Sequence, residues 1–281
     1  MSKMLILDFD GTITDAELEG KPFRVGYLQD VATLCGQTFE DILPLAEKFE
    51  EVIKVNPDAH GWMYHGKLVA PASVDPYLRI MPVARMLFDE FGVFDSEPDR
   101  TRMLDGILYK YNYGKTDTAF KPNAREFLAG LEGTATYVIT NSHTSSVQDK
   151  IRLLDAQDGE GSLDWLVERV FGQAKKYMVD EDFDQVPEHL DMPGLSRPVL
   201  LRRAKYFHKI EELRKEAGAS WDEVMVAGDI FELDLALPLF MGASVGLVTN
   251  PFTPAYEKAY LSEHPRGRLV SNLTELRSWF E

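Results

Sequence analysis

Three short apolar runs punctuate the chain: MLIL at 4–7, TYVI at 136–139 and VMVA at 224–227. Each stops at Asp8, at Thr140 or at the pair Gly228-Asp229. Unbroken apolar runs of this length, closed by polar or turn residues, are the pattern of strands buried on both faces of a parallel sheet. Between them the apolar residues recur at helical spacing, in NAREFLAGL before the second run, SSVQDKIRLL after it and RAKYFHKIEELRKEAG before the third. Strand and helix in alternation predict a doubly wound parallel α/β sheet, whose ligands bind beyond the carboxyl ends of the strands. The three polar strand ends would then converge on one crevice. ASVGLVT (243–249) and GRLVSNLTELRSWF at the end of the chain add a strand, then a strand, a turn and a last helix.

The segment 16–117 breaks this alternation. TFEDILPLAEKFEEVIK has apolar residues at Phe39, Ile42, Leu43, Ala46, Phe49 and Ile53, a helical spacing, with Thr38 and Asp41 placed as a capping box. PVARMLFDEFG (82–92) and RTRMLDGILYKY (100–111) are helical in pattern as well. The expected organisation is a catalytic core from 1–15 and 118–281, with a mostly helical lobe, 16–117, inserted after the first strand.

Composition narrows the classes. At 281 residues, 44% hydrophobic and 27% charged, the chain has ordinary globular make-up with ample core material. No apolar run approaches the roughly 18 residues of a membrane span. Met1-Ser2-Lys3 leads into a run cut by Asp8, which leaves no room for a signal peptide. A soluble, cytoplasmic protein is expected. Cys35 is the single cysteine, so neither an intrachain disulfide nor a thiolate metal cluster can form. A formal net charge of −16 is the wrong sign for nucleic acid or an anionic membrane, and neither is expected as a partner.

The chemistry-bearing residues stand at the strand ends. Asp8 and Asp10 flank Phe9 and precede Gly11-Thr12; Thr140-Asn141-Ser142 follows the second strand; Gly228-Asp229 opens a stretch through Glu232 and Asp234. Two neighbouring carboxylates repel unless a cation lies between them. On an extended segment Asp8 and Asp10 can point to the same side, and Gly11 allows close backbone approach by a phosphate. Phosphoryl transfer to a carboxylate asks for these residue types: an unprotonated Asp facing phosphorus, an acid for the leaving oxygen, and cations against the equatorial oxygens.

With DxDGT, a hydrophobic strand ending in Thr, and GDxxxxD in that order, the core of the chain resembles the haloacid dehalogenase (HAD) superfamily, whose fold is Rossmann-like. The resemblance implies a phosphatase-like hydrolase with an inserted cap of the C1 type. It implies Asp8 as nucleophile forming an aspartyl-phosphate, Asp10 as general acid and then base, and Thr140 as a donor to phosphate, with Gly11, Thr12, Asn141 and Ser142 as further phosphate-binding positions. Mg²⁺ would be held by the Asp8 carboxylate, the Asp10 backbone carbonyl and Asp229. Asp234 and Glu232 are read either as partners supporting those ligands or as helix-surface acids. The implied substrate is a small phosphorylated metabolite.

The resemblance also implies a lysine that holds phosphate and nucleophile together, yet the usual Lys-Pro signature is missing. RPVLLRRAKYFHK (197–209) offers Arg202, Arg203 and Lys205 near a strand-to-helix junction. Lys205 is the first choice and Arg203, whose guanidinium binds phosphate in a fork, the second; a basic helix face paired with Glu211 and Glu212 is the plain alternative. Lys175 and Lys176 in GQAKKY are expected to lie too far back. His60, Trp62, Tyr64 and His65 form a polar-aromatic cluster that either faces substrate or packs in a turn, and Tyr109, Tyr111 and Tyr113 fall at period two. Asp180, Asp182 and Asp184 lack the glycine of a calcium loop and read as a solvated acidic loop. Among rival activities, a dehalogenase would not need Asp10, because a halide leaves without a proton. A phosphonate hydrolase would need a cap lysine, with Lys21 and Lys67 available, and a phosphomutase would keep the same core motifs. A non-catalytic binding protein of the same fold would be marked by loss of Asp8 or Asp10.

Overall fold

The computed structural model describes residues 4–111 and 117–280. Strand β1 (Met4–Leu7) is followed by helices α1 (Ala16–Leu34) and α2 (Phe39–Val55), a hairpin of β2 (Gly61–Tyr64) and β3 (Lys67–Pro71), and helices α3 (Pro76–Phe91) and α4 (Glu97–Tyr111). The chain continues with α5 (Ala124–Ala129), β4 (Ala135–Ile139), α6 (Thr144–Asp155), α7 (Asp164–Val167), β5 (Val170–Phe171) and the short pair β6 (His189–Leu190) and β7 (Val199–Leu200). It closes with α8 (Ala204–Glu216), β8 (Val224–Gly228), α9 (Ala236–Phe240), β9 (Ser244–Val248), α10 (Ala255–Glu263), β10 (Gly267–Val270) and α11 (Leu273–Phe280). Among the described residues no helix is long and apolar enough to cross a membrane.

The chain divides into two units. The first takes in the residues up to Asp15, Met63–Ala70 and Phe120 onward. Its centre is a six-stranded sheet in the order β10-β9-β8-β1-β4-β5, parallel throughout. Period-two alternation explains why β1 is apolar at every position: Met4 and Ile6 join the core on one face, Leu5 and Leu7 the core on the other. After β1 the chain builds outward through β4 and β5, then returns to the other side of β1 with β8. That reversal opens a crevice at the carboxyl ends of β1, β4 and β8, the position where ligands bind in open α/β sheets. The doubly wound α/β architecture expected from the strand–helix alternation is thus present.

The second unit, Ala16–Trp62 with Pro71–Ala119, is helical. Its core gathers Phe23, Tyr27, Leu28, Ile42, Ala46, Ile53, Ile80, Val83, Leu87 and Phe88. Thr38 and Asp41 form the expected reciprocal cap at the start of α2. Helix α3 begins earlier than the pattern predicts, because Asp75 accepts from the Tyr77 amide and Pro76 supplies a preset first turn; Pro82 is then carried inside the helix. Tyr111 is buried in this core, while Tyr113 and the side chain of Tyr109 lie outside the described residues. The polar-aromatic cluster turns out to be the β2–β3 hairpin, with His65 and Gly66 at positive φ in its turn. Its tip, Met63–Ala70, belongs to the first unit, where the Tyr64 ring meets Tyr177 edge-on with centroids 5.5 Å apart and Lys67 pairs with Glu181 at 2.6 Å.

Candidate active site

The tip of β1 is a compact turn built from its own residues. The amides of Thr12, Ile13 and Thr14 all donate to the carbonyl of Phe9, whose ring is fully buried and pins the segment to the core. Gly11 has φ +83°, and a Cβ there would run into the Asp229 carboxylate. Gly11 therefore brings the tips of β1 and β8 together, a tighter reason for glycine than phosphate access alone. Thr12 is buried, and its hydroxyl donates to Asp8 Oδ2 at 3.3 Å.

The tip of β5 supplies the cation. Lys176 is buried, and its Nζ donates to Asp8 Oδ1 and to Asp234 Oδ1, each at 2.7 Å, with the Tyr206 ring 5.5 Å away. This corrects the expectation for the basic slot. Lys205 is exposed on α8. Arg203 is fully buried, and its guanidinium is spent on three backbone carbonyls, those of Leu200, Lys176 and Val69. It holds the main chain that carries Lys176 and presents no fork to an anion. Two physical facts hid Lys176. Strand β5 is only two residues long, too short to leave a pattern, and the loop 177–203 with its β6–β7 pair lengthens the distance back from Asp229. The available signal was proximity to β4: a loop that leaves the strand beside it must emerge next to Thr140.

That loop reaches the site because the tip of β4 stitches it down. Gly172 donates its amide to Thr144 Oγ1, Gln173 to the Ser142 carbonyl, Ala174 to the Thr140 carbonyl and Lys176 to Asn141 Oδ1. Gln173 and Lys175 are both held at positive φ, a conformation costly for residues with a side chain and kept here by the surrounding hydrogen bonds. Thr140 is buried and accepts from the Ser142 amide through its hydroxyl, while Asn141 spends its carbonyl oxygen on Lys176.

At the second acid, Ser142 Oγ donates to Asp10 Oδ2 at 2.6 Å and Lys150 Nζ to Asp10 Oδ1 at 2.8 Å. Lys150 had no signal in the sequence beyond its place in an amphipathic helix. After β8, Asp229 is buried, and a widened turn over Phe231–Leu235 brings Asp234 back so that its Oδ2 accepts from the Ile230 amide. Ligand oxygens of Asp8, Asp229 and Asp234 lie within 4.8 Å of one another. Asp234 therefore touches the site directly, through Lys176. Glu232 does not: fully buried, it takes a forked pair from Arg197 at 2.6 and 2.8 Å and a hydrogen bond from Tyr256.

Electrostatics follow from this crowding. Burial pushes the Asp8 carboxyl up, to about 7, against the pull of Lys176, and Asp234 and Asp10 add to the rise. Burial opposes charge on Lys176 as well, but Asp234 and Asp8 outweigh it and hold the ammonium protonated well above its ordinary range. Among the described residues, Lys176 and Lys150 pair with carboxyl groups of this site, which gathers Asp8, Asp10, Asp229 and Asp234. A further positive charge in the crevice would relieve the excess, and hard oxygen donors suit Mg²⁺.

No family model and no curated protein matches the sequence. Solved structures do match in fold. A protein from Haemophilus somnus described as a predicted phosphoglycolate phosphatase superposes with a TM-score of 0.52 at 14% identity, over 100% of this chain and 98% of its own. A HAD family hydrolase from Deinococcus radiodurans with bound phosphate and sodium gives 0.52 at 16% identity, over 99% and 94%. YfnB of Bacillus subtilis, described as a HAD-hydrolase and bound to magnesium, gives 0.50 at 14% identity, over 99% and 98%. The fold is that of the HAD-type hydrolases.

Proposed function

We propose that the protein hydrolyses a small phosphate monoester with Mg²⁺, through an aspartyl-phosphate on Asp8. The observation that carries this reading is the double contact at the crevice floor: Lys176 Nζ at 2.7 Å from both Asp8 and Asp234, with a ligand oxygen of Asp229 within 4.8 Å of theirs. A buried carboxylate held by an ammonium and facing a crevice is placed to act as a nucleophile toward phosphorus. A carboxylate oxygen of Asp8 forms the new O–P bond while the ester O–P bond breaks. Asp10 gives its proton to the departing oxygen, then takes one from the water that attacks the aspartyl-phosphate, which releases inorganic phosphate and restores Asp8. Lys176 offsets charge on the phosphoryl oxygens, and Thr140 and Asn141 at the tip of β4 orient the group, while Ser142, whose hydroxyl goes to Asp10 and whose amide goes to Thr140, serves the acid instead.

The carboxylates of Asp8 and Asp229 and the Asp10 backbone carbonyl would hold Mg²⁺. Once bound, it would neutralise phosphoryl charge beside the nucleophile. The phosphate in the Deinococcus relative and the magnesium in YfnB support this assignment. The helical unit inserted after β1 takes the part of a C1-type cap that selects the substrate. The test is a screen of phosphate monoesters with Mg²⁺ and with EDTA, run beside Asp8→Asn. Mg²⁺-dependent release of phosphate, lost in the variant, is the expected result. Borohydride added during turnover, while the aspartyl-phosphate is present, should convert Asp8 to homoserine. Undiminished turnover in Asp8→Asn would reject the covalent mechanism.

A further inference from the structure

The contact between Lys150 and Asp10 is built, rather than incidental. Helix α6 packs on the sheet through Val147, Ile151 and Leu154, the spacing of one buried face. Lys150 is three residues after Val147 and next to Ile151, so packing of that face fixes the stem on which its ammonium sits. The side chain is 24% exposed, and its Nζ reaches Asp10 Oδ1 at 2.8 Å. Ser142, just before the same helix, takes the other oxygen at 2.6 Å. Both oxygens of the carboxylate are thus held, one by Ser142 in the β4–α6 connection and one by Lys150 on α6, and a carboxylate so held has lost its free rotation about the terminal bond.

We infer that Lys150 is the positioning residue for Asp10, aiming its carboxyl group at the ester oxygen that leaves. The inference rests on the phosphate-ester reading above and deepens it. In the first step Asp10 enters protonated, on an oxygen lone pair that neither Ser142 nor Lys150 fills, and passes that proton to the leaving oxygen as the ester O–P bond breaks and the Asp8 O–P bond forms; Lys150 keeps its protons and makes no bond to phosphorus. In the second, Asp10 removes a proton from the attacking water. A leaving group stable as an anion departs without that proton, whereas a more basic one depends on it. Loss of the positioning donor should therefore show in how the rate depends on the leaving group.

The experiment compares p-nitrophenyl phosphate with phenyl phosphate, using the full chain with Mg²⁺ as wild type, Lys150→Met and Lys150→Arg. In Lys150→Met, kcat/KM should fall about tenfold on phenyl phosphate and stay within about twofold of wild type on the nitrophenyl ester. On the latter, kcat and KM should fall together, because the covalent intermediate accumulates when its hydrolysis slows. Lys150→Arg, which keeps a cationic donor, should recover most of the phenyl phosphate loss. A crystal structure of Lys150→Met should show the Asp10 carboxylate turned away from Ser142. Equal losses on both esters, no loss on either, or an unmoved Asp10 would overturn the assignment and leave the phosphatase reading standing. A wild type inert toward both esters would overturn that reading and this inference with it.

Discussion

At the tip of β1 the turn that carries the reactive carboxylate is held by its own segment; at the tip of β5 the loop that carries the lysine is held by its neighbours. Around Asp8, the turn amides return to Phe9, Gly11 donates to Thr14 Oγ1, and the Thr12 hydroxyl reaches back to Asp8 itself. Around Lys176, the bonds come from Thr140, Asn141, Ser142 and Thr144 on the β4 side and from Arg203 on the other. A self-contained turn keeps its geometry wherever it is placed. A borrowed one depends on the packing of β4, β5 and the residue preceding α8. Substitutions inside the first tip should act on chemistry alone, and substitutions around the second should act on chemistry through position.

Asp8→Asn sets the upper limit. It removes the nucleophile and leaves the turn intact, so turnover of a phosphate ester should fall by about 10⁴-fold or more while the unfolding transition persists. Circular dichroism with a phosphate-release assay checks both halves. Lys176→Met comes next. Removing the ammonium from between Asp8 and Asp234 leaves two buried carboxylates unscreened, which should cost about 3 kcal/mol of stability without added metal. It should also lower kcat/KM by roughly 10²–10³-fold, the scale for loss of one charge-stabilising group. Lys205→Met, on an exposed helix face, should stay within about twofold in activity and ±0.5 kcal/mol in stability. Near-equal effects of the two lysine variants would mean that Lys176 does not serve the site.

The same contrast explains what the sequence made legible. The β1 tip is contiguous, so Asp8, Phe9, Asp10, Gly11 and Thr12 are read together, and the strand before them is long enough to show its pattern. Asp229 is legible for the same reason, standing at the end of the fully buried β8. Lys176 follows a strand of two residues, and what brings it to Asp8 is a set of main-chain hydrogen bonds, which residue identity does not encode. Lys150 is hidden in a different way: an amphipathic helix always carries lysines, and only the path of α6 past Ser142 shows which one meets Asp10. Arg203 misled because a basic residue near a strand end suggests an anion site, whereas this guanidinium satisfies buried carbonyls.

Gly172→Ala tests the stitching without touching a charged group. A Cβ at that position would meet the Thr144 amide, the Ser142 carbonyl and the Thr144 hydroxyl, so the loop must move for it to fit. The cost should be about 1–3 kcal/mol. Because the displaced segment carries Lys176, kcat/KM should fall about tenfold, though no reacting group has changed. Thermal unfolding and steady-state kinetics read the two effects. A wild-type rate in a folded Gly172→Ala would mean that Lys176 finds Asp8 without this anchor.

Asn141→Ala is the mildest way to sharpen the comparison, because it removes one acceptor from the borrowed tip and adds no bulk. The Lys176 amide loses its partner at 2.8 Å, and a neutral hydrogen bond of this kind is worth about 1 kcal/mol. That is roughly a fivefold effect if it is felt wholly as displacement of the lysine. Inorganic phosphate, as a competitive inhibitor, should then bind about fivefold more weakly, and KM for an ester should rise by a similar factor with kcat changed less, since Lys176 meets the phosphoryl group before and during transfer. Thr12→Val, which removes the 3.3 Å hydrogen bond inside the β1 tip, provides the counterpart and should leave phosphate inhibition within about twofold. If Asn141→Ala bound phosphate as tightly as wild type, the lysine loop would be holding itself in place, and the two tips would differ in sequence only, with no difference in how they are supported.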